Sequence, residues 1–448
     1  SLIAAGSFYN DKHAWIPTTP AFIHDVCALE ATGAHMSDLE LRLQEAVRRR
    51  PDVKIWNLSV GGDPCDESSF SDLSMTLDEL SDKYQVLFVV AAGNYNELPR
   101  RNWPTPVELK DRISTPGESV RSLTVASVAH IDATDGLTAA GNPAPYSRCG
   151  PGPVFTPKPD LTHVGGGVHA PWSAGTSSLK VLAPQGHLYS SFGTSYAAPL
   201  ASCMAAHAWQ ALAGRPNPSP SPSLVKALMI HSAQLASPDY DSYQRRYFGA
   251  GRPDDVLRAL YDSDDCFTLV FQANLVPGNM RWRKSPYPMP DVLIEDEKFR
   301  GEIIMTAVYA PPLDPNAGSE YVRANVELSF GTIEGDNITG KVPMESEEGQ
   351  SGYETAQISN GNKWSPVKVH RKAFARGVAG KIWGLQATAL LRAYEPSLTE
   401  ALPVHIIVTI RSLDGDLRVR AAGMRALAQS NWVNTPLPLR VPIKVINR

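Results

Sequence analysis

The chain has 448 residues, with 42 lysines and arginines against 46 aspartates and glutamates, for a net charge of −4. That length calls for two domains, each able to bury a sizeable core, and the dispersed, near-balanced charge offers no basic footprint for nucleic acid. No apolar run approaches the ~20 residues of a membrane span, and five widely spaced cysteines (Cys27, Cys65, Cys149, Cys203, Cys266) without CxxC spacing argue against a zinc site and lean toward a reducing, cytoplasmic compartment.

From the N-terminus, His13, His24 and His35 precede the stretch Lys54–Gly62. His24 and Asp25 are adjacent; neighbours on a strand or helix point apart, so they make a poor base and orienter. Residues 37–50 carry a helical period, with Ser37 as N-cap and Glu40 three positions later as a capping box. Lys54–Val60 reads as a strand closed by Gly61-Gly62. A helix over 70–83 leads into Val86–Ala91, an unbroken apolar run of the kind a buried parallel strand requires. This alternation predicts βαβ units and a parallel sheet covered by helices. Gly93-Asn94 ends the apolar strand. An asparagine at a strand's carboxyl end sits where open α/β sheets place their sites, and its NH2 group can donate to an oxyanion. An ordinary turn is the plainer role. Small residues at Ser59 and Gly61 let an extended peptide lie alongside, and Val60 with the glycine pair suggests an open, apolar-tolerant cleft.

Residues 139–184 are rich in Gly, Pro and Ser and read as loops around short strands. Then comes Phe192-Gly193-Thr194-Ser195-Tyr196-Ala197-Ala198-Pro199, a tight turn opening an apolar, small-residue helix. Proline is tolerated in a first helical turn. Ser195 there has free backbone N–H groups and the positive helix end beside it, which suits a nucleophile that must hold an oxyanion; an N-cap is the bland alternative. His207 lies twelve residues on, about 18 Å along a helix, too far to act as its base. His187 falls in the preceding loop and His231 in a helix over 224–231; both read as structural or surface histidines. Residues 214–223 form a proline-serine connector.

After residue 262 the pattern becomes strand-like: Cys266–Phe271, Gly301–Tyr309, Tyr321–Leu328, Trp383–Ala389, Val404–Ile410 and Leu439–Val445, separated by turn residues. This predicts an all-β sandwich or jelly-roll domain over 263–448. The cluster Asp262, Asp264, Asp265 reads as a solvated linker.

Taken together, Asn57-Leu58-Ser59-Val60-Gly61-Gly62, Ala91-Ala92-Gly93-Asn94 and Gly193-Thr194-Ser195-Tyr196-Ala197-Ala198-Pro199 resemble, in order, three motifs of the subtilases, the subtilisin-like serine peptidases. Thr115-Pro116-Gly117-Glu118 with the following Ser122–Val128, Tyr146–Pro151, Lys158-Pro159-Asp160-Leu161 and Tyr247–Pro253 extend the resemblance over about residues 1–262. It implies a subtilisin-like domain and a serine endopeptidase acting on a protein or peptide substrate. Ser195 would be the acyl-forming nucleophile, Asn94 an oxyanion donor with the Ser195 N–H, and Ser59, Val60 and Gly61 one rim of the substrate cleft. Asn57 and Asp160 take structural roles. The family also needs an Asp and a His before the serine. No His-Gly-Thr-x-Val-Ala run occurs here, and Ser1–Gly6 resembles the continuation of that helix, so the expectation is an upstream segment of the same protein supplying both residues. The alternative is a catalytically inactive subtilase-fold binding module. No cofactor, metal or calcium ligand cluster is assigned, and neither nucleic acid nor membrane is expected as a partner.

Overall fold

The computed structural model describes the chain except for residues 18–20, 29–35, 106–108, 184–185, 214–217, 258–262, 279–280, 336, 344–362, 396–400 and 433–448. The expected strand at 439–445, the residues around the domain boundary at 262, His35 and part of the proline-serine connector therefore lie outside the described residues.

The first half is built on a parallel sheet of four strands: β1 (Ile55–Leu58), β2 (Leu87–Ala91), β3 (Leu123–Val128) and β4 (Leu161–Val164), in that order. Every residue of β2 is buried, because both faces of the sheet are covered. Phe88 and Val90 pack with α2 (Met36–Arg49) and α3 (Asp72–Tyr84). Leu87, Val89 and Ala91 pack with α4 (Thr194–Leu212) and α5 (Pro222–Leu235). A strand buried on both faces carries no polar alternation, which is why its sequence is uniformly apolar. The face of α4 that meets the sheet is Ala197, Ala198, Ala201, Ala205 and Ala208, all fully buried, so the helix axis approaches closely. α1 (Leu2–Tyr9) lies against α4 through Leu2 and Leu200. β5 (Leu179–Leu182) and β6 (Leu188–Ser191) form an antiparallel hairpin leading into α4. A short α6 (Ser242–Phe248) is closed by a capping box between Asp241 and Gln244.

Two details differ from the sequence reading. α2 begins at Met36, so Ser37 lies inside the helix rather than at its cap; the Ser37 side chain is outside the described residues. Glu40 serves tertiary packing, its Oε1 accepting from Thr76 Oγ1 of α3 at 2.6 Å. The working cap is on α3, where Ser71 Oγ accepts from Ser74 N–H at 3.3 Å.

The second half holds a short three-stranded sheet of β9 (Ile294–Glu295), β10 (Lys298–Phe299) and β15 (Val378–Ala379) and a sandwich of two larger antiparallel sheets. One has the order β14 (Val367–Ala373), β11 (Glu302–Tyr309), β17 (Leu402–Arg411), β7 (Cys266–Leu275). The other has β13 (Asn337–Val342), β12 (Ala324–Glu334), β16 (Trp383–Leu391), β8 (Trp282–Lys284). Between them lie Ile303, Met305, Phe330, Leu385, Val408 and Trp383. The alternate residues of β11 and β17 face α5: Val308 and Ile407 join the helix core, and His231 of α5 sits 2.9 Å from Thr306 Oγ1 and 2.7 Å from Thr409 Oγ1. A helix absent from the all-β expectation, α7 (Val419–Gln429), packs on β7 through Val419 and Leu427.

Candidate active site

The carboxyl ends of β1 and β2 and the first turn of α4 meet at one point. Gly193 precedes α4 with φ 154° and ψ 156°, a conformation essentially restricted to glycine. Its N–H donates to the Gly165 carbonyl at 3.0 Å, just beyond the end of β4. Ser195, half-buried, is the second residue of α4, so its N–H has no intrahelical acceptor.

Asn94 stands opposite. Its Oδ1 accepts from Thr194 N–H at 3.0 Å and from Thr194 Oγ1 at 3.1 Å. Thr194 Oγ1 in turn accepts from Gly93 N–H at 3.2 Å. With its oxygen committed to Thr194, the Asn94 amide turns its Nδ2 toward Gly193; a carbon placed on Gly193 would lie 3.3 Å from it. Asn94 is exposed to solvent. The Asn94 main chain is fixed as well, its carbonyl accepting from Arg148 Nε at 3.2 Å.

Ser59 closes the other flank by two hydrogen bonds running in opposite directions. Ser195 Oγ donates to the Ser59 carbonyl at 3.4 Å, and Ser59 Oγ donates to the Ser195 carbonyl at 3.2 Å. The second bond has a cause in Pro199. Pro199 is the sixth residue of α4, not in the first turn as its place in the motif suggested. A proline has no N–H, so the carbonyl four residues before it, that of Ser195, loses its helical donor. Ser59 Oγ supplies one. Ser59 Oγ also accepts from Asn57 Nδ2 at 3.2 Å, and Asn57 Oδ1 accepts from Ser202 Oγ at 3.2 Å, which gives Asn57 a positioning place beside the site. Val60 packs on the α2–α3 core and Gly61 is exposed beyond it.

Support lies behind these residues. Tyr146 Oη donates to the Gly166 carbonyl at 2.7 Å and lies 2.8 Å from Ser127 Oγ; burial pushes its phenol above the ordinary value. Asp160 is fully buried between Lys158 at 2.7 Å and Lys226 at 3.1 Å. Their positive charges hold its carboxyl below the usual range despite the desolvation that opposes ionisation, while burial brings Lys226 down to about 8.

Among the described residues, no histidine ring is a hydrogen-bond partner of Ser195 Oγ. His24 is exposed, 2.6 Å from Arg50 Nη1. His169 accepts from Ser177 N–H at 3.1 Å. His405 lies 3.0 Å from Ser223 Oγ, His231 is held between two threonines, His187 is exposed, and His130 and His163 are buried. Sequence reasoning overlooked Thr194, Arg148 and the coupling of Pro199 to Ser59. Thr194 and Pro199 sat in the quoted motif, and a missing donor at Pro199 was the available signal.

The family model that matches this chain is described as the subtilase family and covers residues 25–251. The uncharacterized protein y4bN of Sinorhizobium fredii is 28% identical over 337 residues, 66% of this chain and 75% of that protein. Among solved structures, the protease domain of PatA is 22% identical, with a TM-score of 0.36, over 51% of this chain and 66% of that one, a little under two thirds of its length. The prenylagaramide maturation protease PagA is 22% identical, with a TM-score of 0.36, over 54% and 70% of the two chains. A lanthipeptide protease is 20% identical, with a TM-score of 0.38, over 52% and 67%. With the family model spanning more than half of its length, this chain belongs to the subtilase family.

Proposed function

We propose that this chain carries the nucleophile and oxyanion half of a serine endopeptidase site and acts on protein or peptide substrates. Ser195 Oγ attacks the scissile carbonyl carbon. A histidine, held by an aspartate and supplied by an upstream segment of the same protein, takes the hydroxyl proton. The carbonyl π pair moves onto oxygen, and the oxyanion is met by the Ser195 N–H and Asn94 Nδ2. Collapse of the tetrahedral species expels the amine, which leaves with the proton returned by the histidine. Water then cleaves the acyl-Ser195 ester by the same steps. The main chain of Ser59, Val60 and Gly61 aligns the substrate as an added strand.

The observation that carries this reading is the Asn94–Thr194 clamp. It commits Oδ1 to the helix start and leaves Nδ2 for a developing negative charge beside the unpaired Ser195 N–H. A preorganised donor of this kind contributes about 2.7–4 kcal/mol to the transition state and nothing comparable to ground-state binding. In the full-length protein, Asn94→Ala is expected to lower kcat about 10²–10³-fold on a peptide substrate with KM nearly unchanged. An Asn94→Ala enzyme with the parent kcat removes Asn94 from the reaction.

A further inference from the structure

A cavity of about 200 Å³ lies along α4 at Cys203, Met204 and His207, where the loop after α1 and the segment after α6 meet the helix. Trp15 comes from that loop and residues 252–256 from that segment. Cys203 and His207 are about 12 and 18 Å along the helix from Ser195, so a molecule held here does not compete with a substrate at the serine. The cavity is smaller than the roughly 300–1,000 Å³ of pockets for drug-sized ligands, a size that suits a single amino acid.

Arg252 is built into this cavity without a carboxylate partner. Its N–H donates to Ser237 Oγ at 3.0 Å. Its guanidinium stacks on the Trp15 ring at 4.5 Å and donates from Nη1 to the Pro253 carbonyl at 3.2 Å. Trp15 is itself fixed: its N–H donates to His13 Nδ1 at 3.2 Å, and its ring meets the His13 ring edge-on at 5.5 Å. A ring against the guanidinium face leaves the in-plane donors Nε and Nη2 at the edge. Among the described residues neither has a hydrogen-bond partner, and Arg252 joins no ion pair. Burial pulls the guanidinium below its ordinary pKa, and Asp254 offsets only part of that.

Asp254 lines the same cavity, yet no ion pair joins it to Arg252, and its carboxylate accepts no hydrogen bond among the described residues. The neighbouring Asp255 is engaged, accepting the Leu257 N–H at 3.2 Å. His207 contributes a half-buried imidazole, also without a hydrogen-bond partner among the described residues. Buried Cys203 and Met204 supply an apolar wall. One small cavity thus holds an unpaired cation, an unpaired anion kept apart from it, and an apolar surface.

We propose that this cavity binds a free α-amino acid with an apolar side chain of the size of leucine or methionine. Its carboxylate takes the Nε and Nη2 edge of Arg252 as a bidentate pair, with His207 as a further donor. Its ammonium group lies against Asp254, and its side chain covers Cys203 and Met204. Asp254 and Asp255 are both exposed at the mouth; two carboxylates there repel a phosphate dianion more than a zwitterion, which makes a carboxylate the matching anion. Bound this way, the amino acid ties α4 to the loop after α1 and to the segment that precedes β7.

The test is isothermal titration calorimetry of the full-length protein with L-leucine, L-methionine, L-leucinamide and 4-methylpentanoate. The amide lacks the carboxylate and the last lacks the ammonium group. Saturable binding of leucine or methionine is expected. Leucinamide and 4-methylpentanoate should each bind about 10–100-fold more weakly, the loss of one charge-assisted contact. Arg252→Gln is expected to abolish leucine binding, with the urea midpoint of the variant measured alongside. Asp254→Asn, at an exposed and unpaired carboxylate, should bring leucine down to the affinity of 4-methylpentanoate and decides the matter where Arg252→Gln does not fold. No binding of leucine or methionine to the folded parent at millimolar concentration overturns the site. Binding of 4-methylpentanoate as tight as that of leucine overturns the amino-acid assignment. Leucine binding unchanged in Asp254→Asn, or in a folded Arg252→Gln, puts the ligand elsewhere and overturns the cavity.

Discussion

The Thr194 hydroxyl works in two directions at once, donating to Asn94 Oδ1 and accepting from Gly93 N–H. It is fully buried, so its loss leaves the buried Gly93 N–H without its acceptor, at about 1–3 kcal/mol, and leaves Asn94 Oδ1 held by the Thr194 N–H alone. Thr194→Val keeps the shape and removes both bonds. We expect Asn94 to lose its fixed orientation, with kcat falling at least about 10-fold and KM little changed. Thr194→Ser, which keeps the hydroxyl, should restore most of kcat. Equal losses in both variants would mean that Thr194 acts only through packing of its methyl group.

At the scale of elements, α5 is the piece that joins the two halves. One side packs on α4 and the parallel sheet; the other meets β11 and β17. Its carboxyl end is held by two arginines from the sandwich. Arg371 Nη1 donates to the carbonyls of Gln234 at 3.0 Å and Ser237 at 2.8 Å, and Arg411 Nη1 to that of Leu235 at 3.2 Å. Glu302 pairs with both, at 2.6 and 2.5 Å. Cations at a helix C-terminus satisfy its orphan carbonyls and its dipole together. His231 sits in the middle of this contact, and burial lowers its ring from 6.5 to about 3, with Arg411 adding a smaller repulsion. The folded state keeps this ring neutral while the unfolded chain protonates it below about 6.5. Its contribution is therefore full above that pH and is lost as pH falls from about 6.5 toward 3, at about 1.4 kcal/mol per unit. Urea unfolding between pH 7 and 4 should show a slope shallower by about one proton in His231→Gln, whose amide can still bond a threonine. An unchanged slope would show that His231 does not set the acid sensitivity.

For the whole molecule, much of the architecture was readable because it rests on local signals. The apolar run of β2, the glycine before Ser195 and the strand alternation of the second half each announce one element, and the subtilase motifs place Ser195, Asn94 and Ser59 as short contiguous stretches. What escaped depends on long-range pairing. The bond between Ser59 and the Ser195 carbonyl spans 136 residues, and the clamp on α5 joins Glu302 to arginines 69 and 109 residues away. α7 escaped because its buried face is Val419, Ala422, Gly423 and Leu427, two of them too small to mark an apolar stripe; a carbon on Gly423 would fall on the Phe267 ring. Whether Ser195 is the nucleophile is tested by treating the full-length folded protein with a fluorophosphonate and locating the adduct by peptide mass spectrometry. One stoichiometric adduct is expected, on Ser195, absent from Ser195→Ala. An adduct on another serine, or none on the folded protein, would contradict it.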